Sequence, residues 1–300
     1  MTDIERVGVV GCGLMGAGIA EVCARAGMPV TVVERDAEAA RAGRLRIARS
    51  LDRATAHGKL GAEQRDAAMA RITVVDRIEA LGDHDLVVEA VAEDEALKLD
   101  VFTRLDAVVT GEHTILATNT SSIPVIRLAA ATSRPDRVVG VHFFNPVPVL
   151  RLVELVPSLL TSPATAARAE HFVTGTLGKE VVRTRDKAGF VVNALLVPYL
   201  LAAVRMVESG SATVEDVDRG MVLGCAHPLG PLALTDLIGL DTTRAIAESL
   251  YAEFREPQYA PPPLLSRMVE AGLLGRKSGR GFHSYDAEPQ RAAAAPAGPR

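Results

Sequence analysis

Four short segments of this 300-residue chain hold the side chains best suited to chemistry. The first is Gly11-Cys12-Gly13-Leu14-Met15-Gly16-Ala17-Gly18, a glycine turn of the kind that lets a backbone approach a pyrophosphate. The second is Thr118-Asn119-Thr120-Ser121-Ser122-Ile123-Pro124, and the third is His142-Phe143-Phe144-Asn145-Pro146-Val147-Pro148. The fourth places Glu154 in the apolar alternation Leu152-Val153-Glu154-Leu155-Val156. A histidine suits proton transfer because its pKa lies near neutral pH, and a carboxylate beside it would fix its tautomer. An unpaired acid within an apolar strand would be costly, so Glu154 is expected to have a partner. There are seven histidines, and any one alone is more often a surface or capping residue. Residue type by itself therefore leaves the choice of base open.

The elements around the glycine turn are specific. Val7, Val9 and Val10 form a short apolar strand before it, a helical stretch over 19–26 follows, and a second strand over 30–33 ends in Glu34. In that context Gly11 permits the tight turn, Gly13 the approach of the phosphates, and Gly16 the close packing of helix and strand. The helix start offers free N–H groups to the phosphates. Glu34 is placed to accept from the adenosine ribose hydroxyls, which favours NAD, and Arg35 beside it keeps NADP open. Strand signals return at 72–75, 85–91, 114–118, 138–142 and 152–156, with helical stretches between most of them. This alternation predicts an α/β Rossmann-type doubly wound domain over 1–186, with a helical hairpin inserted at about 37–70. After Asp186 the chain reads as helix after helix until 281–285, which reads as a strand, so 187–285 is expected to be a smaller all-helical domain. Residues 286–300 are Ala/Pro-rich and are expected to be a disordered tail.

Composition excludes other classes. A net charge of −4, no tryptophan and 4% aromatic residues argue against a nucleic-acid binder. The most membrane-like stretch, 190–204, is short for a span and contains Asn193 and Pro198, so no membrane association is expected. Three cysteines without a CxxC pair, and acids at the N-terminus, point to a cytoplasmic protein. No HExxH or paired CxxC spacing suggests a metal.

These segments resemble the 3-hydroxyacyl-CoA dehydrogenase family, and within it the short-chain 3-hydroxybutyryl-CoA branch. The resemblance runs from about Ile4 to Tyr285 and includes His227-Pro228-Leu229-Gly230-Pro231, the run Asp236 to Asp241, and Gly275-Arg276-Lys277-Ser278-Gly279-Arg280-Gly281-Phe282. It implies NAD-dependent interconversion of (3S)-3-hydroxybutyryl-CoA and acetoacetyl-CoA. It assigns His142 as the acid/base and Glu154 as its partner, with Ser121 and Asn193 holding the substrate oxygen. Ser122 is then left to cap the following helix. Cofactor contacts carry over to Gly11, Gly13, Leu14, Met15, Gly16, Glu34, Glu93, Lys98, Asn119 and Lys277. Ser50, Lys59 and Ser121 are the implied coenzyme A contacts, although His57 stands where the family has a lysine. Without the family, Glu93, Lys98 and Lys277 read as solvated charges. Two departures, Ala188 for proline and Ala194 for arginine, put one phosphate or inter-domain contact in doubt. The helix over 190–206 is apolar on nearly all sides and points to a homodimer through the C-terminal domain. The alternatives are the same chemistry on an acyl carrier protein, or a non-catalytic dinucleotide-binding relative.

Overall fold

The computed structural model describes residues 4–285, and the tail expected at 286–300 lies outside them. The chain divides into two compact units between Phe190 and Val191, a few residues beyond the expected boundary after 186. Phe190 belongs to the first unit because its side chain is buried in that unit's core.

The first unit is built on one eight-stranded sheet. In chain order the strands are β1 (Val7–Val10), β2 (Val30–Val33), β3 (Ile72–Val75), β4 (Leu86–Glu89), β5 (Ile115–Thr118), β6 (Val138–Phe143), β7 (Leu152–Pro157) and β8 (Glu180–Arg183). They lie in the order β3-β2-β1-β4-β5-β6-β7-β8. All neighbours run parallel except β6 and β7, which are antiparallel. The doubly wound expectation holds. The helices of this unit are α1 (Leu14–Arg25), α2 (Ala37–Ala56), α3 (Ala62–Ala70), α4 (Glu95–Val108), α5 (Val125–Ala130) and α6 (Pro163–His171).

Strand alternation separates two cores. Val9, Val88, Val141 and Leu155 pack on one face with Ile19 of α1, Ile47 of α2 and Ala169 of α6. Val10, Val87, Leu116 and Val156 pack on the other with Phe102 of α4 and Leu128 of α5. A sheet buried on both faces needs such near-continuous apolar strands, and that is why they were visible in the sequence.

The second unit holds α7 (Val192–Glu208), α8 (Val214–Cys225), α9 (Pro231–Ile238), α10 (Leu240–Phe254) and α11 (Pro263–Glu270). The strand expected over 281–285 is absent. That segment makes only an isolated bridge between Arg280 and Ser284, because Asp236 takes the backbone N–H groups of Phe282 and His283.

Two further expectations change. β8 was not anticipated: its sequence, Glu180-Val181-Val182-Arg183, is short, charged at both ends and largely exposed at the sheet edge. Ser122 does not cap α5. Pro124 occupies the N-cap position, and Asp186 accepts from the N–H groups of Val125 (2.8 Å) and Ile126 (2.7 Å) in its stead.

Candidate active site

The site is assembled at the carboxyl ends of the central strands, where an open α/β sheet leaves a crevice. β1 runs directly into the glycine turn. Gly11 has φ +89°, a conformation glycine adopts without strain, and a side chain at Gly16 would overlap the Gly11 carbonyl. Above Gly13, by contrast, the space is open, and no side chain caps the N-terminus of α1. Leu14 is exposed and Met15 half-buried at that same helix start. Glu34, just past β2, turns its carboxylate to the turn and accepts from Cys12 N at 2.6 Å. An open backbone cradle, a free helix start and an acid beside them are what the phosphates and ribose of a dinucleotide require.

His142 and Glu154 meet through strand register. They face each other directly across the antiparallel β6–β7 pair, and His142 Nδ1 lies 2.8 Å from Glu154 Oε2. Glu154 is fully buried, and His142 is 6% exposed. The carboxylate accepts the Nδ1 proton, which leaves Nε2 as the basic nitrogen. Phe144 and Phe190 hold the imidazole from its sides, with ring centroids 4.6 and 5.5 Å away. The partner expected for the buried Glu154 is thus the histidine.

The exit of β5 carries the second group. Asn119 Oδ1 accepts from Phe143 N at 2.9 Å, tying this turn to the end of β6. Ser121 donates from N (2.8 Å) and Oγ (3.3 Å) to Glu93 Oε1, which also accepts from Thr120 Oγ1 and from Ser122 N and Oγ. Burial alone would raise the Glu93 pKa. The Lys98 ammonium and the donors from Thr120, Ser121 and Ser122 outweigh it and hold the carboxyl below the usual range. Lys98 is not a solvated charge. It is 1% exposed, with Nζ 2.6 Å from Glu89 Oε1 and 3.3 Å from Glu93 Oε2. The sequence reading did not single out Glu89. The signal that could have singled it out is an acid closing an all-apolar strand at the sheet centre.

The implied coenzyme A residues separate. Lys59 lines a groove of about 540 Å³ together with Arg25, Gln64, Arg151 and Lys179, whereas Ser50, half-buried on α2, is not among its walls. Lys179, also unanticipated, donates to the carbonyls of Val147 and Leu150 at 2.7 Å each and so fixes the connection that follows His142. In the second unit, Asn193 sits half-buried in the first turn of α7, and Lys277 pairs with Asp241 at 2.6 Å.

Comparison with known proteins decides the family. Residues 6–187 match the NAD binding domain of 3-hydroxyacyl-CoA dehydrogenase and residues 189–285 match its C-terminal domain. The chain belongs to the 3-hydroxyacyl-CoA dehydrogenase family. It is 60% identical to a 3-hydroxybutyryl-CoA dehydrogenase of Mycobacterium tuberculosis, over 95% of this chain and all of the relative. It is 41% identical to the mitochondrial hydroxyacyl-coenzyme A dehydrogenase of Sus scrofa, over 94% of this chain and 91% of that one. The crystal structure of (S)-3-hydroxybutyryl-CoA dehydrogenase PaaH1 from Ralstonia eutropha superposes with a TM-score of 0.89 at 46% identity, covering 94% of this chain and 99% of that chain. The protein is therefore an NAD-dependent dehydrogenase, in agreement with the cradle at Gly11–Gly16 and with Glu34. Among the described residues, no helix is long and apolar enough to cross a membrane.

Proposed function

We propose that this dehydrogenase interconverts (3S)-3-hydroxybutyryl-CoA and acetoacetyl-CoA, with His142 as the acid/base group. The observation that carries this reading is the buried His142–Glu154 pair, whose geometry leaves Nε2 to exchange a proton with a substrate oxygen. The names borne by the relatives support the substrate class. NAD, held by the Gly11–Gly16 turn and Glu34, supplies the hydride acceptor for alcohol oxidation.

In oxidation, Nε2 takes the hydroxyl proton as the carbonyl forms, and in reduction it returns that proton to the carbonyl oxygen. Glu154 keeps Nδ1 protonated and stabilises the imidazolium that arises in between. Ser121 Oγ donates to the same oxygen. Its 3.3 Å bond to Glu93 is the longest that carboxylate accepts from the turn, so this hydroxyl is the most readily redirected. Asn193 is a further donor to the oxygen and Lys277 a cofactor contact, both on the family resemblance. Lys59 is the coenzyme A contact best supported, since its groove concentrates cations suited to phosphate. The buried free thiols of Cys12 and Cys23 support a reducing, cytoplasmic setting.

The test is NADH consumption with acetoacetyl-CoA. His142→Ala and Glu154→Gln should each lower kcat about 10²- to 10⁴-fold with intact folding. An inactive parent would overturn the substrate assignment, and full activity in His142→Ala would overturn the mechanism.

A further inference from the structure

We propose that Glu89 is a positioning residue for the serine turn, acting on Ser121 along two hydrogen-bonded routes. This rests on the reading of Ser121 as the donor to substrate. Glu89 ends β4, in register with Val10 of β1 and Thr118 of β5, and is fully buried. A carboxylate at the centre of a sheet is costly unless paired and hydrogen-bonded, and both of its oxygens are used. Oε1 accepts from Lys98 Nζ at 2.6 Å and from Val91 N at 2.8 Å, while Oε2 accepts from Thr118 Oγ1 at 2.7 Å.

One route leaves through Lys98. Its ammonium also lies 3.3 Å from Glu93 Oε2, so a single cation is shared by two carboxylates. Glu93 presents its other oxygen to Thr120, Ser121 and Ser122. The second route leaves through Thr118. Because that hydroxyl donates to Glu89, its lone pairs face Thr120 N, which donates to it at 3.1 Å. Neutralising Glu89 releases Lys98 to move wholly onto Glu93, drawing that carboxylate away from the turn, and frees the Thr118 hydroxyl to rotate. Both changes converge on the backbone that aims Ser121. None of these bonds joins the Glu89 side chain to Ser121 itself; it acts on that residue through its neighbours.

A double-mutant cycle tests this, with kcat for acetoacetyl-CoA reduction as the readout and thermal unfolding measured alongside. Glu89→Gln keeps the shape and removes the charge, and should lower kcat about tenfold while leaving KM for acetoacetyl-CoA within about twofold. In a Ser121→Ala background the same change should cost less than about twofold, because the group being positioned is gone. Equal losses in both backgrounds would overturn the proposal. Ser121→Ala alone reports on the role of Ser121, so the two ideas fail separately. A second measurement does not depend on that role. Hydrogen exchange at the amides of Ser121 and Ser122 should accelerate about tenfold in Glu89→Gln, and unchanged exchange would overturn the proposal. Should Glu89→Gln not fold, Thr118→Val cuts the second route alone and should show the same coupling to Ser121 at about threefold in kcat. Additive losses there would count against it equally.

Discussion

Glu34 illustrates how one carboxylate can serve two ends. It anchors the glycine turn through Cys12 N, and it is also the residue proposed to accept from the adenosine ribose. A negative charge there repels a 2′-phosphate, so Glu34→Gln should narrow the ratio of kcat/KM for NAD over NADP by about tenfold, measured with both reduced cofactors. His142, Glu154 and Ser121 could be singled out from the sequence through the runs that carry the family resemblance, and Glu34 through its place after the glycine turn and second strand. Glu89 and Lys98 could not be understood that way. Lys98 read as a solvated charge because nothing within α4 announces that Glu89, nine positions back, and Glu93 enclose its ammonium. Thr118, the other partner of Glu89, is 29 positions away. Side chains whose meaning depends on distant partners declare themselves only in the folded chain.

At the level of elements, the strands of the sheet centre were legible because burial on both faces forces unbroken apolar runs. β8 was not, since an exposed edge strand needs no such run. The 281–285 segment had a strand's residues but lost its backbone donors to Asp236. α5 offers a sharper case. Two serines and a proline precede it, the local signature of a capped start, yet its cap is Asp186, some 60 positions along the chain. Burial raises the pKa of that carboxyl, and the two N–H groups that it accepts from oppose the rise. Asp186→Ala removes both bonds and should destabilise the protein by about 1–2 kcal/mol, seen as a lower midpoint in thermal unfolding.

For the molecule as a whole, several acids are held below their ordinary values. The Ala39 N–H lowers Asp36, Lys98 with the serine turn lowers Glu93, Ser133 lowers Asp106, and Lys277 lowers Asp241, each against the opposing effect of desolvation. Such groups bind protons less readily folded than unfolded. Their stabilisation is complete above the usual carboxylate pKa, about 4, and is lost as pH falls through the depressed values. Asp186 acts in the opposite direction but is one against four. Burial lowers the His84 pKa as well, so urea midpoints should begin to ease as pH falls below about 6.5 and then fall steeply below about pH 4. The second unit exposes Leu195 on α7 (73%), Leu223 on α8 (72%) and Leu237 on α9 (48%), which supports the proposed homodimer. Sedimentation should return about twice the 31.7 kDa chain mass, and a monomer at micromolar concentration would rule the dimer out.

The facing of His142 and Glu154 across β6 and β7 separates the proposed proton-transfer pair from the chain that links the two strands. Their alignment is a property of ladder pairing, so it survives any change in residues 144–151 that lets the strands pair as they do. A one-residue slip of either strand, in contrast, would send one member of the pair to the opposite face of the sheet. The link is in effect an exchangeable cassette, clipped at Val147 and Leu150 by Lys179. Substituting the corresponding link of a relative while keeping both strands, the lysine, Phe144 against the imidazole and the buried Val147 would transplant a new wall beside the histidine without disturbing its chemistry.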